Sequence, residues 1–204
     1  VEVSMKIIVI GATGTIGQAV TQRLLSEHEV IRVSRTSGDA HADIADSASL
    51  SSLFSSRAPF DAVVCAAGEA AFRSFADLSD EDFALGLRSK LMGQVNLVRS
   101  GFPHIADGGS FTLTSGILSQ HPTPGSASIS MVNAAVEAFA RAAALELPRG
   151  VRINVVSPPW VRETLEAMGQ DPSPGLPASV VARAYAASVE GDMSGQVLDA
   201  REYA

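Results

Sequence analysis

The sequence predicts an α/β protein with one doubly wound parallel sheet and helices on both faces. Three observations predict it. Apolar runs of strand length alternate with longer stretches of helical apolar spacing, the pattern of parallel strands joined by crossover helices. The first run passes directly into a helix through a glycine-rich turn. A chain of 204 residues, 46% hydrophobic, suits a single domain over residues 1–204 with a sizeable core, and it shows no repeat or linker.

The elements follow in order. Met5-Lys6-Ile7-Ile8-Val9-Ile10 reads as a buried strand, and Gly11-Ala12-Thr13-Gly14-Thr15-Ile16-Gly17 follows at once. Residues 18–26 continue with Ala19, Val20, Leu24 and Leu25 at helical spacing. Residues 29–34 read as a second strand and residues 41–44 as a short third, with only a short turn between Arg35 and His41. Residues 47–56 form a small helix that Asp46 caps. Residues 61–66 are a fully buried strand running out to Gly68, and a long helix spans residues 80–101. Strand 110–114, helix 129–147 and strand 151–156 come next. Residues 169–177, rich in Pro and Gly, read as a loop, followed by helix 178–188 and an edge strand at 196–198. In such a sheet ligands sit beyond the carboxyl ends of the strands.

The spacing Gly-x-x-Gly-x-x-Gly between a strand and a helix points to a dinucleotide pyrophosphate. Gly11 permits a tight turn, Gly14 lets the backbone approach the phosphates, and Gly17 lets the helix pack close to the strand. The free N–H groups around Thr13, Thr15 and Ile16, with the positive end of the helix dipole, face the anion. The competing reading is a βα turn with no ligand. An acidic residue at the end of the second strand would hold the 2′-hydroxyl of NAD, but Ser34, Arg35, Thr36 and Ser37 stand there. An arginine with small hydroxyl residues suits a 2′-phosphate, which favours NADP(H) over NAD(H). The alternative is a solvated surface arginine. Asp43, beside Ile44, is placed to accept from an adenine amino group or to cap a turn. Ala66, Ala67 and Gly68 leave room for a cofactor to pass close to the strand, although small residues also occur where a helix crosses one.

The net charge of −7 argues against nucleic acid or an anionic membrane surface as the main partner. Cys65 is the only cysteine, which fits a reducing cytoplasm. No apolar run reaches membrane-spanning length and no signal peptide precedes the first strand, so the expected location is cytoplasmic. Residues 1–4 read as an added remnant, with Met5 as the natural start.

These residues resemble the short-chain dehydrogenase/reductase family along nearly the whole chain. Gly11 to Gly17 is similar to the family's glycine motif, and Cys65-Ala66-Ala67-Gly68 to its Asn-Asn-Ala-Gly motif. Thr114-Ser115 resembles the strand end bearing the catalytic serine. Arg152-Ile153-Asn154-Val155-Val156-Ser157-Pro158 resembles the Arg-Val-Asn-x-Val-x-Pro segment, and residues 194–199 its closing strand. The resemblance implies a Rossmann-type fold, a nicotinamide cofactor touched also by Pro158, and carbonyl/alcohol redox chemistry on a small molecule. It also implies a short substrate lid over residues 159–177 and pairing into a homodimer or homotetramer through helices 80–101 and 129–147. No metal is implied.

The family's proton-transfer pair is missing. A tyrosine phenol, titrating near about pH 10, needs a lysine neighbour to act near neutrality. Alignment puts Ile129 at the tyrosine position and Asn133 at the lysine position. Tyr185, Tyr203, Lys6 and Lys90 all lie outside that helix. Lys90 replaces an asparagine that the family directs towards its active site, so it is a candidate proton donor or oxyanion anchor beside Ser115. The bland reading is a solvated lysine. His121, six residues after Ser115, is a candidate acid/base or an idle loop histidine. Ser115 lacks the Gly-x-Ser-x-Gly elbow of a hydrolase. Pro159 replaces a glycine and removes an N–H near the nicotinamide amide, and Trp160 is placed to line the pocket. The leading expectation is an atypical NADP(H)-dependent reductase or dehydrogenase. A catalytically inactive NADP(H)-binding sensor is the second reading, and a cofactor-assisted isomerase or dehydratase the third.

Overall fold

Side-chain alternation along buried strands builds this fold. In the computed structural model, which describes residues 4–204, the strands are β1 (Lys6–Ile10), β2 (Glu29–Ser34), β3 (Ala40–His41), β4 (Phe60–Cys65), β5 (Ile105–Thr114), β6 (Arg152–Ser157) and β7 (Val197–Asp199). They form one parallel sheet in the order β3-β2-β1-β4-β5-β6-β7. Successive side chains enter opposite cores. Ile8, Ile10, Val63, Cys65, Ile153 and Val155 face one, while Ile7, Val9, Ala62, Val64 and Val156 face the other. With both faces covered, the strands read as unbroken apolar runs.

The first core is closed by α2 (Ser47–Arg57), α4 (Met92–Gly101) and α5 (Ala127–Ala143), through Leu50, Phe54, Leu97, Val136 and Ala140. The second is closed by α1 (Thr15–Leu24) and α7 (Ala178–Glu190), through Val20, Leu24, Val181, Ala182 and Tyr185. The strand order reverses beside β1, so a crevice opens where β1 and β4 part. No described helix is long and apolar enough to cross a membrane.

Several elements differ from the sequence reading. The helix expected over 80–101 is α3 (Asp80–Leu85), a π-turn (Gly86–Leu91) and then α4. Contacts at its inner side accompany the wide turn. Ser89 Oγ accepts from the Glu69 N–H at 3.0 Å, and Gln94 spans Thr114 with bonds of 2.8 and 2.9 Å. Helix α1 starts three residues before the expected position, at Thr15. Helix α5 ends at Ala143, after which Leu145 and Glu146 make tighter bonds to Ala142 and Ala143. Strand β3 is shorter than expected because it pairs only with Val33 and Ser34, and β5 begins earlier, at Ile105. The expected lid contains a short helix, α6 (Arg162–Ala167), tied back by Leu176 N–H to Trp160 O at 2.9 Å. The expected short connection between Arg35 and His41 has no helix. The reading of residues 1–4 as a remnant falls, for residues 1–3, outside the described residues.

Candidate functional site

A cleft of about 540 Å³ opens at the carboxyl ends of β1, β2 and β4. Gly11, Thr13 and Gly14 line it from the first βα turn, and Ser34, Arg35 and Thr36 from the end of β2. Asp43, Ile44, Ala66, Ala67 and Gly68 complete the expected wall. Thr15, Ile16 and Gly17 are not in that wall: they form the first turn of α1. Ile16 packs on the α1–α7 core.

The glycines divide by cause. Gly11 has φ +83°, and a Cβ there would sit 2.6 Å from Ala66 O. A Cβ on Gly17 would lie 2.0 Å from Gly11 O, so Gly17 serves close packing. Gly14 is different. Its φ is −79°, and the nearest atom to an added Cβ, Gly11 O, is 3.5 Å away. Neither strain nor internal crowding requires glycine there, and Gly14 lines the cleft. Helix α1 has no side-chain cap and no acidic residue in its first turn. Its unpaired N–H groups and positive dipole end therefore suit an anion. These features fit a dinucleotide pyrophosphate.

In the wall of the cleft, Arg35 Nη2 meets Glu69 Oε1 at 3.4 Å, with both side chains more than half exposed. Arg88 adds a second guanidinium to the wall, 3.5 Å from Glu81 Oε1. Exposed pairs of this kind contribute less than about 1 kcal/mol, so both arginines can turn to another anion. The Ser34 hydroxyl is not free as expected: it donates to Ser37 O at 2.5 Å and accepts from the Ser37 N–H at 3.0 Å. Asp43 caps a turn, accepting from Ala45 N–H at 2.9 Å.

Lys90 packs behind Gly68 of the cleft wall. Its stem packs against Gly68, where a Cβ would come within 3.2 Å of Lys90 Cγ, and its Nζ donates to Ser115 O at 3.1 Å. Gly68 belongs to the cleft and Ser115 to a second, smaller pocket, so Lys90 links one residue of each without itself lining either. Burial pushes the Lys90 ammonium down to about 8, opposed by the nearby Cys65 thiol. Of the two readings of Lys90, the geometry has the amine beside Ser115.

The second pocket, of about 130 Å³, is lined by Ser115–Leu118, Ile129, Asn133 and Pro158–Trp160. Pro158 is therefore here and not in the large cleft as expected. Trp160 is braced by an edge-to-face contact with Phe72, ring centroids 5.6 Å apart. Ser115 also differs from expectation. Its hydroxyl donates to Glu137 Oε1 at 2.9 Å, and Ser119 donates to the same oxygen at 2.6 Å. Glu137 is buried and was not foreseen. A signal for it existed: Ile129, Asn133 and Glu137 are spaced by four on α5 and share one helix face. The Asn133 amide donates to Gly116 O at 3.4 Å, and its buried Oδ1 has no partner. Ile129 and Asn133 bring no acid or base to the pocket.

His121 is not brought to this pocket. The His121 N–H bonds Ile117 O at 2.8 Å, and the exposed residue lines another hollow with Ser157, Asp199 and Arg201. Ile117 is the one residue the hollow shares with the apolar pocket.

Comparison with known proteins agrees with this geometry. A family model described as enoyl-(acyl carrier protein) reductase matches residues 11–190. The crystal structure of the protein lin1944 from Listeria innocua is 42% identical, with TM-score 0.91, over 96% of this chain and 99% of that one. A small-chain dehydrogenase solved in complex with NADPH is 29% identical, with TM-score 0.84, over 97% of this chain and 96% of that one. The aldohexose dehydrogenase of Thermoplasma acidophilum, 19% identical with TM-score 0.84 over 96% of this chain and 92% of that one, shares the fold. No curated protein matches the chain.

Proposed function

The chain belongs to the short-chain dehydrogenase/reductase family, and from that premise we propose that it is an NADP(H)-dependent oxidoreductase acting on a small carbonyl or alcohol. The observation that carries the reading is Lys90, whose stem packs on Gly68 of the large cleft and whose amine bonds Ser115 O of the small pocket. The first turn of α1 with Gly11 and Gly14 would hold the pyrophosphate, and Arg35 with Arg88 would hold a 2′-phosphate. The NADPH complex of the 29% identical relative supports that choice of cofactor.

When bound, the nicotinamide supplies or takes a hydride. The chain's own part is orientation and the proton. The pocket walls hold the substrate, and the Lys90 ammonium donates a hydrogen bond to its oxygen. In reduction that oxygen gains the Lys90 proton, and water then reprotonates the neutral amine. An amine lowered to about 8 is close enough to neutrality to do both.

A second reading, a catalytically inactive NADP(H)-binding sensor, is favoured by one specific arrangement. Ile129 and Asn133 offer no acid or base, and Glu137 holds the Ser115 hydroxyl. Both readings are tested by mixing the protein with NADPH and a panel of aldehydes, ketones and quinones, and following the absorbance of the reduced nicotinamide. Oxidation that disappears in Lys90→Met supports the enzyme. NADPH binding with no oxidation across the panel supports the sensor. Leu87, Met92 and Met131 are exposed on the helical segments expected to pair chains, which supports a dimer or tetramer that light scattering would detect.

A further inference from the structure

We propose that Glu27, His28 and Glu190 form a binding site for a divalent transition-metal ion, with Zn²⁺ the ion that the donor set suits. The site does not depend on the oxidoreductase reading. It lies beside the start of β2, whereas the cleft opens at the carboxyl ends of the strands.

Two chain segments converge there. Glu27 and His28 follow the end of α1, and Glu190 is the last residue of α7. One ligand atom from each of the three lies within 4.8 Å of the other two. Acidic groups at a surface need no ion, so the imidazole carries the argument. The His28 side chain is only 5% exposed, and its buried Nε2 has no hydrogen-bond partner. Nε2 stands 3.4 Å from Glu190 Oε1. That is too long for an ordinary N–H···O bond. It is the separation of two zinc ligands, since donors about 2.0–2.1 Å from a tetrahedral ion lie about 3.3–3.4 Å apart. The Met5 N–H reaches Nδ1 at 3.4 Å. An ion on Nε2 needs the ring hydrogen on Nδ1, so this long contact is the one given up.

Arg23 shares the carboxylates without closing the site. It bonds Glu27 Oε1 at 3.2 Å and Glu190 Oε2 at 3.0 Å. One oxygen of each carboxylate remains, including the Glu190 Oε1 that faces His28. A guanidinium on the outer oxygens orients the ligating ones, as outer partners do in metal sites. The Glu27 side chain is 42% exposed and free to close on the ion. Arg23 and Glu190 also line an open hollow of about 640 Å³ between α1 and α7, which gives an ion its way in. One imidazole with two carboxylates suits Zn²⁺ better than Mg²⁺ or Ca²⁺, which take oxygen ligands in greater number. A bound ion would tie the end of α1 to the end of α7, the helix pair that closes the second core.

The experiment titrates the metal-stripped full chain with ZnCl₂ by calorimetry, with MgCl₂ as the control. Zinc should bind one to one with a Kd below about 100 µM, and magnesium should give no response. With free zinc tenfold above that Kd, the unfolding constant should fall by about tenfold. His28→Gln and Glu190→Gln should each weaken zinc by at least about tenfold, with melting curves establishing that each variant is folded. Nitrogen NMR of the wild-type chain needs no variant: zinc should shift the ring nitrogens of His28 and leave those of His41, His104 and His121 in place. No heat with zinc, zinc binding undiminished in both variants, or ring shifts at another histidine in place of His28 would overturn the proposal. NADPH is titrated separately, so its failure to bind would defeat the cofactor reading and leave the metal site standing.

Discussion

Replacing Lys90 by methionine separates stability from turnover. Methionine keeps an apolar stem of similar length and removes the charge. Burial lowers this ammonium from 10.5 to about 8, which corresponds to about 3 kcal/mol at roughly 1.4 kcal/mol per tenfold change. The fold carries that cost for holding the cation. The variant also loses the bond from Nζ to Ser115 O, worth about 1–2 kcal/mol for a charged donor. The net expectation at pH 7 is a gain of about 1–2 kcal/mol in unfolding free energy, with NADPH oxidation lost. The pH dependence fixes the sign. Below about pH 8 the amine is protonated in both states and the cost is complete. As pH rises from about 8 to 10.5, the folded protein sheds the proton first and becomes more stable relative to its unfolded chain. The advantage of the variant should therefore be largest at pH 7 and shrink towards pH 10. Urea unfolding of both proteins at pH 7, 8.5 and 10 measures it. A variant less stable than wild type at pH 7, or a difference that does not shrink with pH, would refute the reasoning.

Three further outcomes follow from the geometry. Arg35→Gln should weaken NADPH by about tenfold and leave NADH nearly unchanged, because it removes one cation facing the 2′-phosphate; fluorescence titration with both coenzymes distinguishes them. Gly14→Ala should fold normally but lose NADPH affinity, since its Cβ meets only Gly11 O at 3.5 Å, whereas Gly17→Ala should unfold at lower temperature because its Cβ would lie 2.0 Å from that same oxygen. Glu137→Ala should cost about 2–4 kcal/mol by leaving the Ser115 and Ser119 hydroxyls without their acceptor and opening a buried space, while Glu137→Gln, which keeps a carbonyl oxygen, should cost less than half as much in denaturant unfolding.

What the sequence made legible was set by local rules. Strands buried on both faces show as continuous apolar runs, so β1, β2, β4 and β6 were found within about a residue or two of their ends. The cleft residues Gly11, Gly14, Arg35 and Ala66–Gly68 were legible because the backbone path of a strand–turn–helix unit fixes where each one stands. The π-turn was not. It accompanies contacts of Ser89 and Gln94 with Glu69 and Thr114, residues about twenty positions away. Ser115 lines the small pocket, but its hydroxyl turns to Glu137, a partner 22 residues later that only the packing of α5 supplies. The surroundings of His121 were not legible because its neighbours Asp199 and Arg201 come from the end of the chain. Helix α6 was missed because no element was read between strand 151–156 and the Pro- and Gly-rich loop over residues 169–177.

The central claim is that the first βα turn and the wall facing it bind a phosphorylated dinucleotide. Isothermal calorimetry of the folded protein against NADPH tests it without any substrate. The account predicts a saturable one-to-one isotherm with a Kd of about micromolar order, abolished by the single methyl group of Gly14→Ala. A flat thermogram with NADPH, NADP, NADH and NAD alike, from protein that melts cooperatively, would contradict it.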